Sequence, residues 1–539
     1  MNFTTDPFQI PEDQQTPLVK WLLEIIRDNK QLIETQAKKI EELKIKVEVL
    51  DDELKKLKKL PPKPDIKKST LNENPEDKKK GTDTKRPGSD KESKKLDFEV
   101  HEERIIQPEL IPLDAKFNGY REYDVQDLVI ENRNIRFKLA EYIDNQGNTI
   151  TGQLPVGYTG HFGPKLMAFI IYQHNQCRVT QNLILEQLRE IGINISTGQI
   201  NRILTENHSN FHEEQLEVLK AGLEVSTFVH TDDTGARCQG KNGYCNVIGN
   251  DLFTHFTSSD NKSRANFLQI LAQGNISYVL DEYAQAYLLQ HDLPKVQIDK
   301  FNFNEKEIFT SEADWKEYLI KMEVTTKQSQ HILTDAALLA GAIHNGLSPN
   351  LIILSDGAPQ FAILIHAMCW VHAERPIRRL YGYTELQKIE IEEVQTLLWV
   401  YYRELKKWRE NPDPLKKEVL LNKFDEIFSK NYQNHRLLNE ALQNIFSNKA
   451  ELLRVLDFPF VPLHTNAAEG DIREFVTKRK VSGGTRSQDG KKSRDTFLSL
   501  KKTCRKLGVS FWRYLNSRLK CDLVVPRLES ILRLKAAPS

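Results

Sequence analysis

Two adjacent carboxylates, Asp232 and Asp233, follow a short apolar stretch within residues 225–237, VSTFVHTDDTGAR. The β-branched and aromatic residues of this stretch, followed by the turn residue Gly235, predict a strand. A carboxylate at the end of a strand is held by a rigid scaffold, which a hard cation such as Mg²⁺ requires of its few protein ligands. The alternative is that the two acids only cap the turn.

A second acid follows a predicted strand at two other places. Residues 351–354 form a short apolar strand that leads to Asp356. Asp281 follows another possible strand, at 276–280, but its own segment continues as an amphipathic helix. Asp356 has the better context, because open α/β sheets bind ligands at the carboxyl ends of their strands. Asp281 remains a rival for the second acid.

The third acid is Glu469, in the first turn of a helix that Asn466 is expected to cap. A Glu at this position often only complements the helix dipole, which is the alternative interpretation. Phosphoryl transfer with two metal ions, however, requires carboxylates from separate parts of one sheet, because the cations hold both the attacking and the leaving oxygens. Asp232, Asp356 and Glu469 meet that requirement, and the order of their elements is RNase H-like.

Cysteine usage indicates a reducing compartment. The six cysteines contain no CxxC pair, which argues against both a disulfide framework and a complete zinc ribbon. Cys369 and His372 are spaced CxxH, which is half of a zinc site at most. The alternative to metal binding is a structural role through packing or hydrogen bonding.

Positive charge is concentrated near the C-terminus. Residues 470–520 contain fifteen Lys and Arg against four Asp and Glu, a local balance of +11 in a chain whose net charge is +1. Such a segment is an electrostatic footprint for nucleic acid, and a solvated helix face is the alternative. Lys478, Arg479, Lys480 and Arg486 are the predicted phosphate contacts.

The strand and helix pattern favours an α/β protein. Residues 244–248 and 252–257 complete a three-stranded meander with the first strand. Upstream, strands at 122–129 and 134–143 indicate a small β-rich module. Helices are expected at the following residues: 163–174, 180–191, from 196 onward, 263–271, 336–344, 385–410 and 415–456. The first three fit either a helix-turn-helix or an ordinary αα-hairpin.

The N-terminal sixty residues carry a heptad pattern. From 19 to 57 the a positions are mostly β-branched and several d positions are Leu, which favours a parallel dimeric coiled coil. Polar Asn29 and Gln36 at d positions would fix its register. The alternative is an amphipathic helix packed on its own domain. Residues 61–95 contain too few large apolar side chains to fold alone, which predicts a disordered, Lys-rich tether.

Composition limits the class of protein further. At 539 residues, 39% hydrophobic and 28% charged, the chain is long enough for two to four domains and is expected to be soluble. No run of about 18 apolar residues could span a bilayer. The N-terminus lacks the basic and apolar regions of a secretory signal. We therefore expect a cytoplasmic protein with no membrane partner, associated with the nucleoid when bound to DNA.

Four strings carry a resemblance to a known family: FVHTDDTGARCQGKNGY, LIILSDGAPQF, CWVHAER and TNAAEGDIREFVTKRKVSGGTRS. From about residue 98 to 520 the chain resembles the transposases of insertion sequence 66. The resemblance implies an RNase H-like fold with a DDE triad at Asp232, Asp356 and Glu469, with Asp233 as a neighbouring supporting acid. It implies two Mg²⁺ ions as cofactors, with Mn²⁺ able to substitute.

The chain departs from this family in two ways. Family members often carry cysteine pairs in a small zinc-binding module ahead of the helix-turn-helix, but residues 98–155 contain no Cys. The interval between the meander and Asp356 is also long, with an extra block at about 281–335. The first departure leaves the DNA role of the module open, and the second keeps Asp281 as a rival acid.

These inferences predict a layout and a function. The layout is a coiled coil at 1–60, a tether at 61–97, a β-rich module at 98–155, a helix-turn-helix-like region at 156–222, an RNase H-like core at 223–480 with helices inserted at about 380–457, and a basic helical region at 481–539. The expected function is metal-dependent cleavage at the ends of a mobile element and strand transfer into target DNA by a homodimer or higher oligomer, with or without accessory proteins. The alternatives are an inactive DNA-binding regulator and a nuclease without strand transfer.

Overall fold

The computed structural model describes residues 100–537, except 111, 113, 114, 122, 292, 434 and 523, together with residues 16, 17, 19, 20, 29–31, 33, 35 and 36. The chain divides into two compact units, 1–122 and 123–539. In the described part of the chain, no helix is long and apolar enough to cross a membrane.

In the first unit, the described residues between 17 and 36 are helical, and residues 100–121 that are described form neither helix nor strand. Most of the predicted heptad segment, 19–57, and the whole tether at 61–97 lie outside the described residues. The coiled coil and the dimer that it implies therefore stay predictions.

The second unit is a mixed α/β structure. Its strands are β1 (Glu141–Ile143), β2 (Thr149–Thr151), β3 (Phe228–Cys238), β4 (Lys241–Gly249), β5 (Thr254–Ser259), β6 (Tyr278–Leu280), β7 (Glu307–Phe309), β8 (Ile352–Ser355) and β9 (Ile365–Met368). Its helices up to the last strand are α1 (Pro164–Asn175), α2 (Gln181–Glu190), α3 (Thr197–Thr205), α4 (Ser209–Val225), α5 (Arg264–Leu271), α6 (Glu282–Gln290), α7 (Lys295–Ile298), α8 (Glu312–Lys321) and α9 (Lys327–His344). The later helices are α10 (Trp370–Arg378), α11 (Glu385–Glu410), α12 (Pro414–Phe428), α13 (Arg436–Ser447), α14 (Lys449–Leu452), α15 (Asn466–Ser482), α16 (Gln488–Lys506), α17 (Phe511–Lys520) and α18 (Leu528–Ala536).

Five strands form the central sheet in the order β5-β4-β3-β8-β9. β3, β4 and β5 are antiparallel neighbours, so the predicted meander is confirmed. β8 and β9 run parallel to β3. The sheet is therefore mixed, and its parallel half brings the carboxyl ends of β3 and β8 to one edge.

Helices cover both faces of this sheet. Ile248 of β4 and Ile353 of β8 lie in the main core, with residues of α4, α5 and α9. Val247, next to Ile248 in β4, packs instead against Ala468 and Phe475 of α15. This division follows from the two-residue side-chain period of a strand, which sends neighbouring residues to opposite faces.

Several predicted elements match the structure and others do not. α1 and α2 begin and end within two residues of their predicted bounds, and α3 begins within one residue of its predicted start. The Ser196 hydroxyl caps α3 by accepting a hydrogen bond from Gln199 N at 3.2 Å. The strand predicted at 122–129 is wrong for its described residues, and only 141–143 of the predicted strand 134–143 is a strand. The helix-turn-helix at 156–222 stays a prediction.

The continuous helix predicted at 415–456 is also wrong. It is divided into α12, α13 and α14, followed by a 3₁₀ turn at Arg454–Leu456. After α12, the Asn439 side chain accepts a hydrogen bond from Tyr432 N and donates one to Tyr432 O. These bonds give the backbone between α12 and α13 an alternative to helical pairing, which a hydrophobic periodicity cannot reveal.

The close packing of α9 on β6 generates a stability prediction. A β-carbon at Gly341 of α9 would collide with the backbone carbonyl oxygen of Ser277. Gly341→Ala should therefore lower the midpoint of thermal unfolding, with a cost of about 1 to 3 kcal/mol from overpacking. Gly470→Ala in α15 is the matched control, because nothing lies within 4 Å of its added carbon. We expect the control to raise the midpoint slightly, and a stable Gly341→Ala variant would mean that the two elements can separate without cost.

Candidate active site

The parallel register of β3 and β8 brings two of the acids to the same edge of the sheet. The pairs Phe228 with Ile352 and His230 with Leu354 each differ by 124 positions, and so do Asp232 and Asp356. The pairing stops at His230 and Leu354, two residues before each acid, so both acids lie at the same end of the paired region. β8 ends at Ser355, so its acid follows the strand directly, as the sequence predicted.

β3 differs from its prediction in one respect. The strand continues to Cys238, so Asp232 and Asp233 lie in its middle and not at its end. Its pairing with β8 nevertheless stops at His230, whereas its pairing with β4 continues to Cys238. Both acids thus lie where β3 has separated from its parallel neighbour, which leaves them accessible from that side.

Asp232 lies on the side of the sheet that α15 covers. It is paired with Val247 of β4, whose side chain packs against that helix. Burial raises the pKa of Asp232 to about 7, and the negative charges of Asp356, Asp233 and Glu469 add to this effect. The three predicted catalytic acids therefore act on each other electrostatically, although they come from three separate elements.

Asp356 begins a tight loop. Its Oδ1 accepts a hydrogen bond from Ala358 N at 3.0 Å, and Gly357 N donates to the Ser355 hydroxyl at 3.1 Å. Gly357 has φ +91°, and a β-carbon there would collide with Met368 of β9. Only glycine fits this position easily, so the residue after the acid fixes the direction in which the loop leaves the sheet.

The rival acid, Asp281, belongs to a different sheet. It follows β6, which pairs only with β7 among the described strands. Its Oδ1 caps α6 by accepting hydrogen bonds from Tyr283 N at 3.0 Å and Ala284 N at 3.2 Å. The structure thus gives Asp281 a capping contact and brings Asp356, not Asp281, to the edge that carries Asp232.

Glu469 lies one turn into α15, where Thr465, and not the predicted Asn466, is the capping position. The position of this helix depends on a buried ion cluster around Asp471. Lys506 Nζ lies 2.7 Å from Asp471 Oδ2, Lys502 Nζ lies 3.0 Å from Oδ1, and Thr254 of β5 donates to Oδ2 at 2.8 Å. Burial alone would raise the pKa of Asp471, but His230, Lys506 and Lys502 hold it well below its usual range. The cluster therefore joins α15 to α16 and to the sheet.

The Glu469 carboxylate has two partners on α10. Arg375 Nη2 donates to Glu469 Oε1 at 2.7 Å, and His372 Nε2 lies 3.4 Å from the same oxygen. Burial lowers the pKa of His372, and the charge of Arg375 lowers it further. The imidazole is therefore neutral at neutral pH and can donate one hydrogen bond.

Cys369 and His372 both contact the residue that precedes α15. Thr465 N donates to Cys369 Sγ at 3.4 Å, and His372 Nδ1 lies 3.5 Å from the Thr465 hydroxyl. These contacts agree with the structural role that the sequence favoured for the CxxH pair. They bring the start of α10 to the start of α15.

Asp233 faces other partners. Gln360 Nε2 donates to Asp233 Oδ2 at 2.7 Å, and Lys262 Nζ lies 3.7 Å from Oδ1. Its backbone N–H donates to Asp232 Oδ1 at 2.8 Å. Burial raises the pKa of Asp233, whereas Lys262 lowers it. The second acid of the pair therefore supports the first and fixes the orientation of its carboxylate.

The donor atoms of the three acids suit a divalent cation. In the part of the chain that the structure describes, no three or more His, Cys, Asp or Glu side chains are already grouped as metal ligands. The donor chemistry nevertheless fits a hard cation, because Asp232, Asp356 and Glu469 offer only oxygen. The raised pKa of Asp232 also indicates a local deficit of positive charge, which a bound cation would offset.

Part of the basic segment is paired within the protein. Lys501 Nζ lies 2.7 Å from Glu474, and Arg518 Nε lies 2.7 Å from the buried Glu214 of α4. Together with the two lysines on Asp471, these pairs use several of the charges that the sequence assigned to one basic footprint. Asp471 and Glu474 are already counted in the local balance of +11, so among these pairs only that of Arg518 with Glu214 lowers the charge available to DNA.

Among the four predicted phosphate contacts, Lys478 needs a correction. Its side chain is 3% exposed, and Nζ donates to His174 O at 2.7 Å and to Asn175 Oδ1 at 3.0 Å. Burial lowers the pKa of Lys478 to about 7. The residue joins α15 to the end of α1 and is not accessible to a phosphate.

The other three predicted contacts lie near the far end of β3. Lys480 and Arg486 are exposed, and Arg479 Nη1 lies 3.5 Å from where a β-carbon on Gly235 would be. After α15 the chain returns to β3, where Thr485 N donates to Arg237 O at 3.0 Å. Arg479 and Arg486 therefore lie near the part of β3 beyond the acids, and Lys480 is exposed near the end of α15.

Sequence reasoning missed the partners of the acids. Arg375 is part of the string CWVHAER and lies three residues after His372, so helical spacing could have placed both on one face. Lys262 lies in a loop and Gln360 in a 3₁₀ turn at Pro359–Phe361, and neither has a comparable signal in the sequence. Asp471 could have been noticed only as a carboxylate within an otherwise apolar helix face.

Comparison with known proteins agrees with this arrangement. The family model described as Transposase IS66 family matches residues 159–292 and 355–493, about half of the chain. The chain therefore belongs to the IS66 transposase family. It is also similar to the uncharacterized protein y4jO of Sinorhizobium fredii (strain NBRC 101917 / NGR234), with 39% identity over 307 residues, which are 57% of this chain and 95% of that protein. Asp232 lies in the first matched segment, and Asp356 and Glu469 lie in the second.

The raised pKa of Asp232 predicts a pH-dependent stability. A carboxyl group whose pKa is raised in the folded state stabilises the fold while protonated, and that contribution is lost as the pH rises from about 4 through 7. Asp232→Asn cannot ionise. In EDTA-containing buffer its thermal midpoint should therefore exceed that of the parent at pH 8, and the difference should shrink towards pH 4.

Asp281→Asn is the control for this measurement. Asn caps a helix about as well as Asp, so this variant should follow the parent at every pH. If the difference in thermal midpoint between Asp232→Asn and the parent does not change with pH, burial of the Asp232 charge is not the cause of that difference.

Proposed function

We propose that this protein is a DDE-type transposase whose catalytic acids are Asp232, Asp356 and Glu469 on an RNase H-like core. The observation that carries the proposal is the β3 to β8 pairing, which brings Asp232 and Asp356 to the same end of the paired region, where the charges of Asp356 and Glu469 both act on Asp232. The mixed five-stranded sheet, with an antiparallel meander followed by parallel strands, is the sheet order expected of that core. Membership of the IS66 family supports a DNA-acting enzyme.

The three acids are the residues that would hold Mg²⁺, or Mn²⁺ in its place. The cations would supply activation of water and neutralisation of the charge that develops on a phosphodiester. The protein's own contribution is to hold the carboxylates in place. Asp233 orients Asp232 through its backbone N–H, and the Ser355–Ala358 loop orients Asp356.

The reaction that we propose is cleavage of a phosphodiester at the ends of the element, followed by attack of the released 3′-hydroxyl on target DNA. The side chains need only bind and orient the two DNA strands and the acids, so no covalent bond between protein and DNA is required. Arg479 and Arg486 lie near the part of β3 beyond the acids and Lys480 is exposed near the end of α15, and we propose that these three cations guide a DNA backbone towards Asp232.

A nuclease without strand transfer is the second candidate, because the same acids would serve simple hydrolysis. Joined products between donor and target DNA would separate the two activities. An inactive DNA-binding regulator is disfavoured by the three acids that converge on one edge of the sheet, and Mg²⁺-dependent nicking of terminal DNA would exclude it.

The choice of the second acid generates a direct test. Asp356→Asn keeps the size of the side chain and removes the charge that would offset a divalent cation, so Mg²⁺-dependent cleavage of terminal DNA should be abolished. DNA binding and the thermal midpoint should stay close to those of the parent. Cleavage is measured on labelled end fragments.

Asp281→Asn is the matched control for cleavage, because both replacements neutralise an acid that follows a buried strand. The control should cleave within a few-fold of the parent, since Asn keeps the cap on α6. If Asp281→Asn abolishes cleavage and Asp356→Asn does not, the proposed triad is wrong and Asp281 replaces Asp356.

DNA binding gives a second test with an internal control. Neutralising one phosphate contact lowers the slope of log K against log salt by about 0.9 on duplex DNA. Arg486→Gln and Lys480→Gln should each show this change, as measured by fluorescence anisotropy at several salt concentrations. Lys478→Met should leave the slope unchanged and lower the thermal midpoint, because it leaves Asn175 and a backbone carbonyl unpaired.

If Arg486→Gln and Lys480→Gln both keep the parent slope, these two charges face solvent only. A changed slope for Lys478→Met would mean that its ammonium leaves the protein interior when DNA binds.

A further inference from the structure

Two side chains of α10 meet a single oxygen of a proposed catalytic acid. Arg375 Nη2 and His372 Nε2 lie 2.7 Å and 3.4 Å from Glu469 Oε1. A carboxylate has two oxygens that can each accept hydrogen bonds or bind a cation. Donors that share one oxygen fix the rotation of the group and direct the other oxygen, Oε2, elsewhere.

This contact is supported by the packing of α10. Trp370, at its start, is fully buried among the helices that follow it, and its backbone N–H donates to Leu463 O at 3.0 Å. Thr465, two residues further, donates to Cys369. α10 and α15 are thus joined at their N-terminal ends, so Arg375 cannot leave Glu469 by a movement of the whole helix without breaking these bonds.

The same helix is joined to the second acid. Cys369 N donates to Ser355 O at 2.9 Å, and Ser355 directly precedes Asp356. A continuous set of backbone hydrogen bonds therefore connects the end of β8, the start of α10 and the start of α15. Arg375 lies on the helix that these bonds fix, so its contact with Glu469 also fixes the position of Glu469 relative to Asp356.

We propose that Arg375 is a positioning residue of the active site, which holds Glu469 Oε1 so that Oε2 is presented to a divalent cation. The proposal rests on the function proposed above and adds a residue to it. A ligating carboxylate that is itself hydrogen-bonded is oriented before the cation binds, and loss of such a partner typically weakens metal binding 10- to 100-fold. Arg375 suits this task because its planar guanidinium is always charged and holds a fixed geometry.

A different role for the same contact makes the opposite prediction. If Arg375 competed with the cation for Glu469, its removal would strengthen metal binding. If Arg375 only stabilised the fold, its removal would lower the thermal midpoint and leave metal binding unchanged. The sign of the change in metal affinity therefore separates the three roles.

The experiment measures Mn²⁺ binding to the full chain without DNA, from the electron paramagnetic resonance signal of free Mn²⁺. Arg375→Gln should bind Mn²⁺ about tenfold more weakly than the parent, and Arg375→Lys should recover part of the loss. Arg378→Gln is the matched control, because Arg378 lies one turn further along α10 and pairs with Glu374. The control should bind Mn²⁺ as the parent does.

A double-variant cycle tests whether Arg375 acts through Glu469. In a Glu469→Gln background, Arg375→Gln should cause no further loss of affinity, because the two changes remove the same interaction. Equal or tighter Mn²⁺ binding by Arg375→Gln would overturn the positioning role, and so would additive losses in the cycle. Thermal midpoints in EDTA identify any variant whose fold has changed, and Arg375→Lys then carries the test.

The failure of this inference differs from a failure of the proposed function. If Asp232→Asn and Glu469→Gln lose Mn²⁺ binding but Arg375→Gln does not, only the positioning role is wrong. If Asp232→Asn, Asp356→Asn and Glu469→Gln all bind Mn²⁺ as the parent does, the metal site itself is wrong and both proposals fall.

Discussion

The parallel pairing of β3 with β8 is the constraint on which the candidate site depends. Side chains at matching positions of parallel neighbours lie on the same face, so one register decides whether Asp232 meets Asp356. A slip of one residue would turn one of these acids to the opposite face. β8 is buried along its whole length, with Ile353 in the core on one face and Ile352 and Leu354 in the core on the other.

The acids that meet at this edge repel each other and lose solvent, as the raised pKa of Asp232 indicates. The surrounding structure offsets that cost with cations placed outside the group. Arg375 pairs with Glu469, and Lys262 lies near Asp233. Asp471, two residues after Glu469, is instead paired with Lys502 and Lys506 of α16. α15 therefore carries both a structural ion cluster and a proposed catalytic acid.

The basic C-terminal segment therefore has two uses. Its buried or half-buried cations hold α15, α16 and α17 against the rest of the second unit, where an unpaired charge would be costly. Its exposed cations, Lys480 and Arg486 among them, are the ones left for a phosphate backbone. A DNA-binding surface of this kind depends on which charges the fold leaves at the surface and not on the total charge of the segment.

The sequence by itself determined the local elements of this protein. Apolar periodicity and turn residues predicted the meander, β8 and α1 to α3, and the order of the three acids along the chain indicated a phosphoryl-transfer site. The heptad at 19–57 remains a sequence prediction. Only the tertiary structure decided that Lys478 is buried, that Asp356 and not Asp281 follows a strand of the central sheet, and that Arg375 holds Glu469. Each of these depends on contacts between residues far apart in the chain, whereas periodicity and capping signals report only on near neighbours.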